Sequence, residues 1–143
     1  MPKSARPVQT TRCVIDTNVI VSGAINGKGP PGKLLDAIAD SVLVPVISRP
    51  ILEEYARVLA RPRFGFSGDL IEDILQPLEA LAIPVDPEPV NEALPDPDDA
   101  IFIAAARHID CPLVTGNIRH FPPETGIRLL TPREALTLIK HAT

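Results

Sequence analysis

The chain has 143 residues, 45% of them apolar, and 18 Asp and Glu against 14 Lys and Arg give a formal net charge of −4. That length suits one domain with a real core. The charge argues against a uniformly basic nucleic-acid binder, although a local basic patch or a bound metal can supply the attraction.

Aromatic residues make up only 3% and Trp is absent, so the core is expected to be aliphatic and rich in Ala. No apolar run is long enough to span a membrane. The two cysteines, Cys13 and Cys111, are far apart and read as small buried residues of a reducing compartment. The 17 prolines fall between periodic segments and punctuate a folded domain. The opening "MPKSARPVQT" lacks the apolar stretch of a secretory signal. Residues 1–10 are therefore expected to form a loose arm ahead of one domain over 11–143, in a cytoplasmic protein.

In chain order, "RCVID" (12–16) predicts a short buried strand ending on an acid. "PGKLLDAIAD" (31–40) predicts a helix and "VLVPVIS" (42–48) a second apolar, β-branched strand. "ILEEYARVLAR" (51–61) predicts a helix that stops before Pro62, and "DLIEDILQPLEALA" (69–82) a helix broken at Pro77. "IPVD" (83–86) is a brief strand and "DPDDAIFIAAARHID" (96–110) a helix. "PLVTG" (112–116) and "IRLLT" (127–131) are strands, and "TPREALTLIKHA" (131–142) is a closing helix. Thr131, Pro132 and Glu134 give that last helix a capping-box start. Apolar strands alternating with helices predict a parallel sheet covered on both faces, with ligands at the carboxyl ends of its strands.

Asp16 stands at such a strand end, although Asp, Thr and Asn are also common in turns, so "VIDTN" reads either way. Asp96, Asp98 and Asp99 have a ready explanation as N-cap, N2 and N3 of a helix, stabilising it by about 0.5–2 kcal/mol each. One acid suffices for that, and three repel one another, which a bound cation would relieve. At about 100° per residue, Ile51, Leu52, Tyr55, Val58 and Leu59 form one apolar face. Glu53 falls nearly opposite it, in solvent, and Glu54 on its flank; surface pairing of either with Arg57 is the plainer alternative. Thr115 and Asn117, in "VTGN", follow another apolar strand. Asp16, Asp99 and Asn117 would meet if their segments are neighbours, and their oxygens suit a hard cation such as Mg²⁺ or Mn²⁺.

Other patterns are set aside. "GKGPPG" (27–32) matches a dinucleotide-binding pattern literally, but it follows the strand by some ten residues, and Pro30 and Pro31 have no N–H to offer phosphate. No P-loop exists. Two distant cysteines with His108, His120 and His141 scattered make a Zn site unsupported, and His120 reads as an exposed loop residue. Ser48 lacks the frame of a hydrolase nucleophile.

"VIDTNVIVSGAINGKGPPGKLLDA", "SRPILEEYARVLARPRF", "DPDDAIFIAAA" and "VTGNIRHFP", in that order and spacing, resemble the PIN domain. The resemblance covers about residues 12–140 and is closest to the bacterial and archaeal PIN toxins of toxin–antitoxin pairs, VapC-like in the broad sense. It implies a three-layer α/β/α sandwich with a central parallel sheet and a Mg²⁺- or Mn²⁺-dependent ribonuclease leaving 5′-phosphates. Asp16, Glu54 and Asp99 map to the family's acids, and Asn117 stands where a fourth acid is usual. Asp16 would bind or bridge metal, Glu54 and Asp99 would complete the shell, and Asn117 would orient a water or a phosphate oxygen. Thr17 and Thr115 are auxiliary candidates, and Asp96 and Asp98 supply a neighbouring ligand or only the cap. Arg49, Arg57, Arg61 and Arg63 form the candidate RNA-binding patch. The resemblance also implies a small antitoxin that covers the cleft with an Arg or Lys, and assembly into a homodimer or higher oligomer, for which "AIFIAAA" offers apolar surface. Two other classes stay open. One is a PIN-like binding module with little catalysis. The other is an aspartyl phosphotransferase using Asp16, although Asn18 stands where its best-known form has a second Asp.

Overall fold

In this computed structural model, which describes residues 11–91 and 93–142, the apolar runs form one parallel sheet. Its strands are β1 (Thr11–Ile15), β2 (Leu43–Ile47), β3 (Ile83–Pro84), β4 (Leu113–Val114) and β5 (Leu129–Leu130), in the order β3-β2-β1-β4-β5. Every pairing is parallel. Cys13, Val14 and Ile15 are consecutive and all buried. Successive strand residues point to opposite faces, so both faces of the sheet are covered. The arm expected over residues 1–10 lies outside the described residues.

Six α-helices make the covering layers: α1 (Thr17–Ile25), α2 (Pro30–Ala39), α3 (Arg49–Leu59), α4 (Gly68–Leu81), α5 (Ala100–His108) and α6 (Pro132–Ala142). α2 packs between α4 and α6, whereas α5 lies against β1, β2 and β4. The core is aliphatic, with Ile20, Leu34, Ile51, Leu59, Ile103 and Leu113 fully buried alongside Tyr55 and Phe102. Each such side chain contributes about 1.5–3 kcal/mol by leaving water. The closing helix has its capping box: Glu134 Oε1 accepts from the Thr131 N–H at 2.8 Å, and the Glu134 N–H donates to Thr131 Oγ1 at 3.1 Å. Cys13 and Cys111 are free and buried, and burial pushes both thiols up, out of reach of reactive thiolate chemistry.

Several expectations change. α1 has no counterpart in the periodicity reading, because "TNVIVSGAI" is rich in β-branched residues that favour strands. Packing overrides that preference: Val19 and Ile20 are buried, and α1 lies against α2. Pro77 does not break α4, which runs unbroken through it. The carbonyl it deprives of a partner belongs to Asp73, an exposed residue that water can satisfy, while Leu78 anchors the next turn in the core. Phe102–Ala106 of "AIFIAAA" are buried inside this fold, so only its first residues, the partly buried Ala100 and Ile101, reach the surface. Gly32 of "GKGPPG" serves packing: a Cβ on it would fall 2.4 Å from the Gly27 carbonyl.

From β1 the chain moves outward through β2 and β3 on one side, then returns to place β4 and β5 on the other. β1 and β4 therefore flank the point where the winding reverses. In such sheets the crevice beyond their carboxyl ends is the natural ligand site. Among the described residues no helix is long and apolar enough to cross a membrane.

Candidate active site

Asp16 is the first residue after β1 and occupies the N-cap position of α1. Its backbone N–H donates to the Val114 carbonyl at 2.9 Å, which ties it to β4. Its side chain makes no cap bond and instead accepts from Thr115 Oγ1 at 2.7 Å. Thr115, fully buried after β4, has its hydroxyl fixed in turn by the Asn117 N–H at 3.0 Å. The Tyr55 hydroxyl donates to the Ile15 carbonyl and so holds α3 against the end of β1. Asp16 is thus a buried carboxylate on a rigid mount. Burial raises its pKa, and the hydrogen bonds from Thr115 and Thr17 partly offset that.

The second acid comes from the turn before α5. Pro97–Asp99 form a single 3₁₀ turn capped by Asp96, whose Oδ1 accepts from the Asp98 N–H at 3.0 Å. Asp96 therefore does the capping, and Asp99 is left with no cap bond. Asp99 is only 8% exposed, and its Oδ2 has no hydrogen-bond partner among the described residues. Burial first, then the charges of Asp16 and Asp96, push its pKa up to about 6. His120 lies beside it, with Nδ1 4.0 Å from Asp99 Oδ2.

These groups line a cleft of about 350 Å³ at the reversal point, together with Thr17, Glu54 and Asn117. Thr17 Oγ1 is a second buried atom with no hydrogen-bond partner among the described residues. Glu54 is half-buried, as its helical phase requires, and takes Arg57 as its ion partner. Glu53 is exposed and bridges to Arg49 at 3.5 Å. Arg57, Arg61 and Arg63 form a cationic wall of the same cleft. Arg49 does not line it: at the first turn of α3 its side chain is 89% exposed and paired with Glu53, so of the four arginines proposed for the patch three share the cleft. Asp96 and Asp98 reach the cleft edge, and Thr115 acts from behind Asp16.

Among the lining residues that the sequence reading did not place in the site are Asn18 and His120. Asn18 Oδ1 accepts from the Gly116 N–H at 3.4 Å, tying the start of α1 to the loop after β4. His120 is exposed, as expected, and also lines the cleft beside Asp99. Ile118–His120 form a 3₁₀ turn, and about three residues per turn place positions 117 and 120 on one side.

The PIN domain family matches residues 12–119. This chain belongs to the PIN domain family. It is 31% identical over 109 residues to the uncharacterized protein MJ1680 of Methanocaldococcus jannaschii, an alignment covering 74% of this chain and 70% of that relative. PIN domains are generally nucleases, and they typically use divalent metals.

The residues of this PIN domain fit such an ion. Asp16, Glu54 and Asp99 are hard oxygen donors around one cleft, and the unpartnered, buried Asp99 Oδ2 is costly unless something positive meets it. Among the described residues no three His, Cys, Asp or Glu side chains are drawn together into a ready-made metal cluster. Repulsion between the carboxylates opposes such gathering, and the Asp16 charge raises the pKa of Asp99 for the same reason.

Proposed function

We propose that this PIN domain is a divalent-metal-dependent endoribonuclease, and that it serves as the toxin of a toxin–antitoxin pair. The observation that carries the nuclease reading is the pair Asp16 and Asp99. Both are buried in one cleft, one has an unpartnered oxygen, and three arginines line the same cleft. Acids that attract a cation and arginines that attract phosphate together suit a phosphodiester.

Asp16 and Asp99 would hold Mg²⁺ or Mn²⁺, with Glu54 joining when Arg57 turns from it to the substrate. When bound, such an ion offsets negative charge gathering on the phosphoryl oxygens and makes water a competent nucleophile near neutral pH. Thr115 keeps the Asp16 carboxylate aimed. Arg61 and Arg63 position the phosphate, and Asn117 orients an oxygen through its neutral amide. The products would carry 5′-phosphates. Incubating a mixed RNA pool and its DNA counterpart with Mg²⁺, Mn²⁺ or EDTA, followed by end mapping, tests this. Metal-dependent cuts with 5′-phosphate ends support it; RNA bound but uncut in either metal overturns it.

That last result would favour a PIN-like binding module, a reading that Asn117 at the usual acid position and the Glu54–Arg57 ion pair both support. The toxin role places the protein in the cytoplasm, as one domain over 11–143. A small antitoxin would set an Arg or Lys among the carboxylates, and the chain would self-associate. Co-expression with the adjacent open reading frame is expected to relieve toxicity and yield a complex. A harmless monomer that ignores that neighbour contradicts the role.

A further inference from the structure

We infer that His120 is a metal ligand of this site, supplying through its imidazole the donor that Asn117 does not supply as an acid, and that the site therefore prefers Mn²⁺ to Mg²⁺. The inference rests on the metal reading above and deepens it.

Asn117 begins the 3₁₀ turn and His120 ends it, joined by the His120 N–H to the Asn117 carbonyl at 3.0 Å. The loop thus offers two side chains to one cleft, an amide and an imidazole. His120 Nδ1 lies 4.0 Å from Asp99 Oδ2, which is buried and has no hydrogen-bond partner. That separation is too long for a hydrogen bond, which needs about 3.2 Å or less. It lies within the span of two donors sharing one ion, since each metal–donor bond is about 2.0–2.2 Å. The contact stands at the outer limit of an ion pair and leaves the oxygen without a hydrogen bond.

The chemistry follows from the donor. Mg²⁺ takes oxygen ligands almost exclusively, whereas imidazole nitrogen binds later divalent ions better, in the order Mn²⁺ below Fe²⁺, Co²⁺ and Ni²⁺. Two carboxylates and one imidazole make a mixed set that a four-carboxylate site lacks. Histidine also binds metal only in its neutral form, so this ligand adds no charge but does add selectivity.

Mn²⁺ alone is the probe. Titration calorimetry gives affinity, and pulsed electron paramagnetic resonance detects ¹⁴N coupled to bound Mn²⁺. The wild-type chain is expected to bind Mn²⁺ at least about tenfold more tightly than Mg²⁺ and to show imidazole ¹⁴N coupling. His120→Gln, checked for an unchanged melting curve, is expected to lose the coupling and most of the Mn²⁺ preference, while His108→Gln keeps both. Asp16→Asn separates the two readings. Mn²⁺ bound in an Asp16-dependent way but without ¹⁴N coupling overturns the ligand assignment and spares the metal site. No Mn²⁺ binding by wild type overturns both. Coupling that survives His120→Gln also overturns the assignment.

Discussion

Asp99 shows how a single side chain can carry a cost until a ligand arrives. Its carboxyl titrates at about 6 in the fold, against about 3.9 when unfolded. The folded chain therefore holds that proton more tightly. The stability this group allows is greatest below about pH 4 and falls as pH rises through about 6. At pH 8 the ionised form stands on the order of 3 kcal/mol above its unfolded reference. Asp99→Asn removes that charge and is expected to stabilise the metal-free chain at pH 8 by up to about 3 kcal/mol. The gain should shrink towards zero near pH 4. Urea unfolding in EDTA at both values measures it, and an equal effect at the two would show that the carboxyl is not perturbed.

Glu53 and Glu54 give a second test at the same scale. Glu54 lines the cleft and Glu53 faces solvent beside Arg49. Glu54→Gln is expected to lower cleavage on the order of tenfold or more, the range of a displaced ligand or ligand partner, while Glu53→Gln leaves it within twofold. Equal effects would mean that the site does not reach α3. That distinction was legible in the sequence, since helical phase alone separates adjacent glutamates. Asp16 was legible as a strand-end acid. Asp99 was not separable from a cap by sequence, because only the structure shows that Asp96 takes the capping bond. His120 was hidden because a one-turn 3₁₀ segment has no apolar periodicity to announce which side its residues face.

Among the elements, the strands were the easiest to read. Most lie in short apolar runs, and the burial of β2 and of Cys13–Ile15 on both faces of the sheet demands such a run. Where α1 lies the sequence pointed elsewhere, because Val and Ile dominate a helix whose stability comes from its neighbours. The Pro77 break was a sound local inference that tertiary packing overruled through Leu78. The turn between α1 and α2 carries its own test. Gly32 sits so close to Gly27 that any Cβ must push backbone aside. Gly32→Ala is expected to lower stability by about 1–3 kcal/mol, as overpacking does. Loss by thermal or urea unfolding with the cleft chemistry intact at low temperature is the predicted pattern; a neutral change would show that the loop yields freely.

At the scale of the whole molecule, the proposed function asks an acidic chain to attract an anionic polymer. Carboxylates and arginines line the same cleft, so a cation bound there would turn it from repulsive to attractive. RNA binding should then depend on salt far less than in a basic protein. Arg61 and Arg63 together account for a slope of about −1.4 in log affinity against log salt for a single strand. Arg61→Ala and Arg63→Ala are each expected to reduce that slope by about 0.7, whereas Arg49→Ala leaves it unchanged. Fluorescence anisotropy of a labelled oligoribonucleotide across a salt series reads the slopes directly.

The most direct test of the account compares wild type with Asp16→Asn on the same RNA, each with Mn²⁺ and with EDTA. Asn keeps the size of Asp16 and removes the charge that holds a cation at the end of β1. The account predicts cleavage by wild type with Mn²⁺, none in EDTA, and a loss on the order of a hundredfold or more for Asp16→Asn at unchanged stability. Undiminished cleavage by Asp16→Asn, or by wild type in EDTA, would contradict it.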